Sequence, residues 1–441
     1  MKGEKTYPID ILTRPIQKFI QNEKAGGIVL GISVIIALIL ANSPLAHEYH
    51  HFFEHKIGFQ FDGKSYLEYS LHHWINDGLM AVFFFVVGLE LKGEMVAGEL
   101  SNPRKALLPI GAAIGGMVVP ATIYLLLNPT GEAQSGWGIP MATDIAFALG
   151  ILYLLGNKVP LSLKVFLTAL AIVDDLGAVL VIAFFYTSDI SVTSLAIGFG
   201  LLLIMYIGNK MGIRNVLFYA ILGIIGVWTA FLLSGVHATI AAVLAAFMIP
   251  ADMRINENVY ITKLQKYLSD FKAIDLTDKI PALTNEQLHI LDEIKKDTNQ
   301  IIPPLQRLVH AMHPFVAFVV IPIFALANAG VSVAVDVEQL FNTNIALGAA
   351  LGLVVGKVVG ICGITILLVK LKVAPYPAGM NVRNLFGLSL LGSIGFTMSL
   401  FITSLAFSNQ EFITQAKIGI FSASIIGGIA GYLVLRNQPE S

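Results

Sequence analysis

Apolar residues fall in long runs separated by short polar connections, and a run of about 20 residues has the length needed to cross the hydrocarbon core of a bilayer. Twelve such runs can be read along the chain, at 26–43, 74–92, 105–127, 137–156, 163–187, 191–208, 216–234, 237–250, 314–330, 344–369, 384–406 and 413–435. The eighth is short, and its separation from the seventh rests on Ser234-Gly235-Val236. The pattern predicts an all-α membrane protein of twelve transmembrane helices, forming one integral membrane domain over residues 1–441.

Two of the runs are interrupted internally. The fourth contains Gly138-Ile139-Pro140-Met141-Ala142-Thr143-Asp144-Ile145-Ala146-Phe147, and the eleventh contains Gly387-Leu388-Ser389-Leu390-Leu391-Gly392-Ser393-Ile394-Gly395-Phe396-Thr397-Met398-Ser399. Proline removes a helical donor, and glycine lowers helix preference. Unwound backbone at membrane depth is tolerated only where protein or a water-filled cavity surrounds it. The fourth and eleventh runs are the middle members of triplets 3–5 and 10–12. Paired interruptions at matching places point to a transport site at the interface of two inverted-topology repeats, with the discontinuous helices crossing at mid-membrane. No residue-level identity between the halves shows that repeat directly.

Two connections are long enough to carry structure. In the outer connection 44–73, residues 56–69 alternate with period two on either side of Asp62-Gly63, a hairpin signal. Exposed strand edges invite pairing, which leads to the expectation of a homodimer joined through 56–69. The long cytoplasmic connection 251–310 places Leu264, Tyr267, Leu268 and Phe271 at helical spacing, and likewise Leu288, Leu291 and Ile294. It predicts two short amphipathic helices, read either as a regulatory lid or as a tolerated insertion. Residues 11–20 mix apolar and basic side chains like a short interfacial helix. No cleavable signal peptide is expected, because the first apolar run begins near Gly26 without a clear small-residue cleavage site.

Composition agrees with this reading. Hydrophobic residues make up 56% and charged residues 13%, against about 25% charged in soluble domains. Lys and Arg cluster at the N-terminus, in alternate connections and at Arg436. The opposite connections are almost free of basic residues, apart from Lys56 and Lys64. The positive-inside bias therefore puts both termini in the cytoplasm. A net charge of −1 offers no nucleic-acid footprint. The single cysteine, Cys362, excludes a disulfide framework within one chain.

Against this apolar background, Asp144, Asp174, Asp175 and Lys357 stand out. A charge at the bilayer centre costs about 2.5–3.5 kcal/mol on insertion scales, and such residues mark ion pathways or proton relays. Lys357 needs a counter-charge, for which either Asp174 or Asp175 qualifies. Asp144, at the break of the fourth run, suits the positive end of a helix dipole. Oxygen-only ligands favour a hard monovalent cation such as Na⁺ or Li⁺ over a transition metal. A carboxylate holds either the cation or a proton, and that competition yields exchange when the site faces one side at a time. No organic cofactor is called for.

These motifs run in order. Ala142-Thr143-Asp144, Val173-Asp174-Asp175-Leu176-Gly177, Ser234-Gly235-Val236-His237-Ala238-Thr239, Ala327-Asn328-Ala329-Gly330-Val331, Gly356-Lys357, Gly395-Phe396-Thr397-Met398-Ser399, and Asn76-Asp77-Gly78 with Gly88-Leu89-Glu90 together resemble the NhaA family of Na⁺/H⁺ antiporters, over about residues 15–435. The general rule linking broken helices to a transport site was itself drawn partly from this family, so the two arguments are not independent. The resemblance implies an electrogenic, pH-activated Na⁺(Li⁺)/H⁺ antiporter, dimeric in the bacterial inner membrane and not an enzyme. It implies that Asp175 is the principal cation and proton carboxylate. Asp174 pairs with Lys357 and releases it on ion binding, and Thr143 and Asp144 support the site. It assigns pH sensing to Glu90, Glu94, His310 and His313 at a cytoplasmic funnel, with His237 near the outer face. Where the family often carries Glu before the first funnel histidine, this chain has Val309.

Two other classes fit less well. Intramembrane aspartyl proteases place their aspartates on facing helices, whereas here they are adjacent and the Gly-x-Gly-Asp pattern is absent. A Na⁺-coupled symporter needs a substrate cavity rich in polar side chains, which the sequence does not offer.

Overall fold

The computed structural model describes residues 23–61, 64–187, 190–274, 283–331 and 343–436. The expected interfacial helix at 11–20 and the Asp62-Gly63 turn lie outside them. Helices occupy every one of the apolar runs. They are α1 (Glu23–Ala41), α3 (71–97), α4 (Pro103–Leu127), α5 (Glu132–Leu154), α6 (Leu161–Phe185), α7 (Val192–Lys210), α8 (Val216–Leu232), α9 (Ala238–Met248), α12 (Pro304–Asn328), α13 (Ile345–Lys370), α14 (Val382–Leu391), α15 (Phe396–Ala406) and α16 (Gln410–Arg436). Seven of them, α4 to α7, α12, α13 and α16, are each long and apolar enough to cross a membrane. The pair α14–α15 qualifies as one span bent by 49°, while α8 and α9 are shorter apolar helices.

The connection 44–73 holds more than a hairpin. A helix the sequence reading missed, α2 (Ala46–Glu54), bends 113° from α1. Strands β1 (Lys56–Phe61) and β2 (Lys64–Ser70) then pair antiparallel, from Lys56↔Ser70 to Phe61↔Lys64. The register shifts between Ile57 and Phe59, so the alternation is broken by a bulge. Gly58 is required there, because a Cβ would sit 2.7 Å from the Glu68 Cα. Trp74 Nε1 donates to the Ile57 carbonyl at 3.0 Å and ties the hairpin to α3.

The long connection 251–310 forms α10 (Glu257–Ala273) and α11 (Asn285–Ile301). Asn256 caps the first, and a Thr284–Gln287 capping box starts the second. Buried Asp297 joins them, accepting from Tyr267 Oη at 3.0 Å and pairing with Lys263 at 3.1 Å. The Asp297 carboxylate pushes the Tyr267 phenol up to about 12. The connection ends earlier than its reading as 251–310: Pro304, tolerated in a first helical turn, begins α12, and residues 304–310 belong to that helix.

Two apolar clusters organise the molecule. The smaller gathers Leu89 of α3, Leu202 and Met205 of α7, Tyr219 and Phe231 of α8, and Ala245 of α9. The larger spans α1, α4 to α6 and α12 to α16, and reaches α3 through Phe83 and Phe84. Isoleucines 28, 32, 35, 36 and 39 are exposed along one stripe of α1, as are Ile425, Ile426, Ile429 and Leu433 on α16. In water such stripes would be a liability; in a bilayer they face lipid.

Helices α4 and α13 meet along a glycine seam. A Cβ on Gly360 would strike the Gly115 carbonyl, and one on Gly356 would lie 2.7 Å from the Pro120 Cα. Small residues allow backbones to approach this closely. The seam carries Lys357 inward, with its Cδ 3.5 Å from where a Gly116 Cβ would be. Gly360→Ala is expected to cost about 1–3 kcal/mol by overpacking. Thermal unfolding of the detergent-purified protein measures it, and an unchanged melting temperature would contradict the seam.

Candidate functional site

The breaks arise where the local sequence cannot continue a helix. In α5, Glu132–Met141 winds as a 3₁₀ helix, Ala142 and Asp144 are extended, and an α-helix resumes at Ile145. Pro140 sits at the end of the first segment, and Asp144 caps the second by accepting from Phe147 N at 3.0 Å. An Asp at this position satisfies an orphan donor and complements the dipole. Helices α14 and α15 are separated by Gly392-Ser393-Ile394-Gly395.

The two breaks bind each other. Asp144 Oδ2 accepts from Thr397 N at 3.0 Å and from Thr397 Oγ1 at 2.5 Å. Asp144 N donates to the Ile394 carbonyl at 2.6 Å, Thr143 Oγ1 to the Gly392 carbonyl at 2.7 Å, and Ser399 Oγ to the Ile139 carbonyl at 2.7 Å. One carboxylate thus serves donors at the starts of two helices.

Helix α6 brings Asp174 and Asp175 to this junction, both fully buried. Consecutive residues point about 100° apart on a helix, so their surroundings differ. Asp174 Oδ2 accepts from Lys357 Nζ at 2.6 Å, and neither side chain is exposed. This resolves the partner the sequence left open. Thr143 lies beside Asp174 as well. Neither carboxylate oxygen of Asp175 has a hydrogen-bond partner among the described residues, and Asp174 Oδ1 also lacks one. A buried carboxylate without donors or a counter-ion is costly. Three orphaned hard oxygens on adjacent residues suit an alkali cation or protons. Lys357 follows a π-helical turn, Gly352–Gly356, within α13, and such turns recur at functional sites.

A cavity of about 600 Å³ leads towards the pair. Thr168 and Ile172 of α6 line it. Asp175 follows Ile172 by three residues and Thr168 by seven, so all three share one helix stripe. Glu90, Glu94, His310 and His313 line the same cavity, as does Val309. The Glu94 carboxylate accepts from Glu99 N at 2.9 Å. His237 stands apart, with its Nε2 2.8 Å from the Tyr186 carbonyl.

Some polar contacts escaped sequence reasoning. Thr397 was read only as part of a motif, yet it is the main side-chain donor to Asp144. A second network, beyond the breaks, joins His72 Nε2 to Asn328 Oδ1 at 3.1 Å and Asn328 Nδ2 to Asn76 Oδ1 at 2.9 Å. The signal for both was a polar side chain inside an apolar run.

The sequence matches the family described as Na⁺/H⁺ antiporter 1 over residues 17–435. It is 47% identical to a Na⁺/H⁺ antiporter NhaA of Oleidesulfovibrio alaskensis, covering 98% of this chain and 96% of that protein. It is 49% identical to Na⁺/H⁺ antiporter NhaA 1 of Saccharophagus degradans, covering 97% and 92%. A Na⁺/H⁺ antiporter NhaA of Parabacteroides distasonis is 42% identical, with 97% of each chain covered. With its apolar helices and matches of this extent, the chain is a multi-pass membrane protein of the Na⁺/H⁺ antiporter 1 family.

Proposed function

We propose that this protein exchanges Na⁺ or Li⁺ for protons by alternating access, with Asp175 and Asp174 as the shared binding site. The observation that carries this is the pair of unpartnered, fully buried Asp175 oxygens on the stripe of α6 that runs from the cavity. In this reading the cavity is a cytoplasmic funnel. A cation descending it displaces two protons, one from Asp175 and one held by the Asp174–Lys357 pair, and takes up Asp174 Oδ1 as Lys357 gives up its partner. The site then faces outward, the cation leaves, and protons reload the carboxylates.

Antiport follows from exclusion, because each carboxylate accommodates a cation or a proton. Two protons returned per cation moves one net charge, so the membrane potential would help drive export at about 2.3 kcal/mol per charge per 100 mV. The reading includes twelve crossings with cytoplasmic termini, two inverted triplets (α4–α6 and α13–α16) whose broken helices cross at mid-membrane, and a bacterial inner-membrane homodimer paired through the 56–69 hairpin. No organic cofactor takes part.

Asp144 and Thr143 hold the crossing rather than the ion, since the Asp144 carboxylate is filled by Phe147 and Thr397 donors. Glu90, Glu94, His310 and His313 are the pH-responsive groups of the funnel. His237, bonded to the Tyr186 carbonyl, has a structural place at the outer side.

Three outcomes are expected. Asp175→Asn keeps the shape of the side chain but removes the competing charge, so it should abolish Na⁺-induced proton release from acid-loaded proteoliposomes while the protein still unfolds cooperatively. Near-normal exchange would end the mechanism. Lys357→Met strands a buried Asp174 and should destabilise the fold by about 3–5 kcal/mol, whereas pairing it with Asp174→Asn restores much of that loss; a double variant no more stable than the single one would contradict the ion pair. Finally, the acidic limb of the exchange profile should move down by about half a pH unit per tenfold rise in Na⁺ where both protons compete with the cation, and by about one unit where a single one does. The sign is fixed: low pH protonates the site and blocks the cation. A limb that ignores Na⁺ concentration would place pH control in the funnel alone.

A further inference from the structure

A second cavity, of about 430 Å³, lies where the α10–α11 pair meets the ends of the membrane helices. Four separate segments supply its lining. Arg214 comes from the α7–α8 turn, Arg254 from the strand of chain after α9, Lys295 and Lys296 from α11, and Arg307 from the first turn of α12. Asp292 is the one acid among the lining residues. The arrangement is held by backbone contacts: Arg254 N donates to the Gln300 carbonyl at 3.0 Å, and Leu305 N to the Pro250 carbonyl at 3.1 Å.

The guanidinium groups are only partly used. Arg214 Nη2 pairs with Asp252 Oδ2 at 2.6 Å, but its Nη1 is buried without a partner. Arg307 Nη1 donates to Asn299 Oδ1 at 3.3 Å, but its Nε is buried without a partner. A buried unsatisfied donor is expensive, more so when charged. Lys296 pairs with Glu293 at 3.3 Å. Five cations set against Asp292, Asp252 and Glu293 leave an excess of two positive charges facing the cavity. A phosphate monoester carries about that charge in the opposite sign at neutral pH, and planar arginine forks match its oxygens.

We propose that this cavity binds a phosphate-bearing anion and that its occupancy positions the first turns of α12. The coupling is built into one short stretch. Arg307 faces the basic cavity, while its neighbours Gln306, Val309 and His310 line the ion funnel. An anion drawing Arg307 towards α11 therefore moves the funnel wall. In this chain, where Val309 stands in the funnel, the long cytoplasmic connection would supply a control by ligand alongside control by pH.

Calorimetric titration of inorganic phosphate into the detergent-solubilised full chain, in chloride buffer at low ionic strength, tests binding without reference to transport. A single saturable site is expected. The Lys295→Gln/Arg307→Gln variant should bind at least about tenfold more weakly, the loss expected for one charge-assisted contact. Its melting temperature checks that it is folded, and Lys295→Glu alone serves if the double variant is not. In a parallel arm, thermal unfolding is compared in nanodiscs of phosphatidylcholine and of phosphatidylglycerol. Stabilisation by phosphatidylglycerol that the variant loses would also support the site and identify a lipid headgroup as its source. Equal phosphate affinity in wild type and variant overturns the proposal. So does an absence of both phosphate binding and variant-sensitive lipid stabilisation.

Discussion

Asp144 is the group on which the rest of the architecture hangs. A broken membrane helix exposes backbone donors and acceptors that water cannot reach, and each unsatisfied group costs several kcal/mol in hydrocarbon. This structure contains two such breaks and lets each satisfy the other. The Asp144 carboxylate serves Phe147 N on its own helix and Thr397 N and Oγ1 across the junction. The Gly392 and Ile394 carbonyls accept from Thr143 and Asp144 in return. Neither break is viable without the other, so the irregular backbone is confined to one place. That place is where α6 presents its aspartates.

The same logic separates the roles of the buried carboxylates. Asp144 has its donors, and Asp174 has Lys357, but Asp175 has neither. Adjacent positions on one helix make this asymmetry possible, since a 100° rotation turns one side chain towards α13 and leaves the other towards the cavity stripe. The α4–α13 glycine seam completes it by bringing the Lys357 stem deep enough to reach Asp174. In the proposed exchange, the partnered aspartate stores a compensating charge and the unpartnered one does the binding. The breaks themselves remain a fixed frame.

Features set by local sequence were legible in advance. Run length marked where helices form, Pro140 marked the first break, and the Gly-rich stretch 387–399 contained the second, which the structure narrows to Gly392–Gly395. The 3.6-residue spacing of Leu264, Tyr267, Leu268 and Phe271 marked α10. What depended on rotation or on distant contacts was not legible. Whether Lys357 meets Asp174 or Asp175 turns on how α6 and α13 face each other, so the residues alone left it open and only the family resemblance pointed to Asp174, the partner observed. Thr397 and Asp144 are 253 residues apart, and nothing in either motif names the other. Helix α2 was missed because His47, His50, His51, Phe52 and Phe53 form no long apolar run, and its tertiary contacts decide it: Tyr49 Oη reaches the Leu326 carbonyl at 2.5 Å. Residues 304–310 were read as connection because their apolar face is narrow, yet the proline at the start of α12 and packing of Leu305 draw them into the helix.

In the proposed reading, regulation and chemistry are physically separable. Glu90, Glu94, His310 and His313 line the cavity, while Asp175 lies one helical turn beyond the lining residue Ile172 on the same stripe of α6. Changing a funnel residue alters the field and shape along the approach without removing an oxygen from the site. In that reading Val309 is such a position: an apolar side chain at the cavity wall leaves Asp174, Asp175 and Lys357 as they are. In the proposed exchange the orphaned oxygens impose competition between cation and proton whatever the funnel does. On the proposed mechanism a chain could therefore vary its funnel, or the α10–α11 pair, and keep its exchange chemistry, because the proposed site is buried behind the crossing that Asp144 holds.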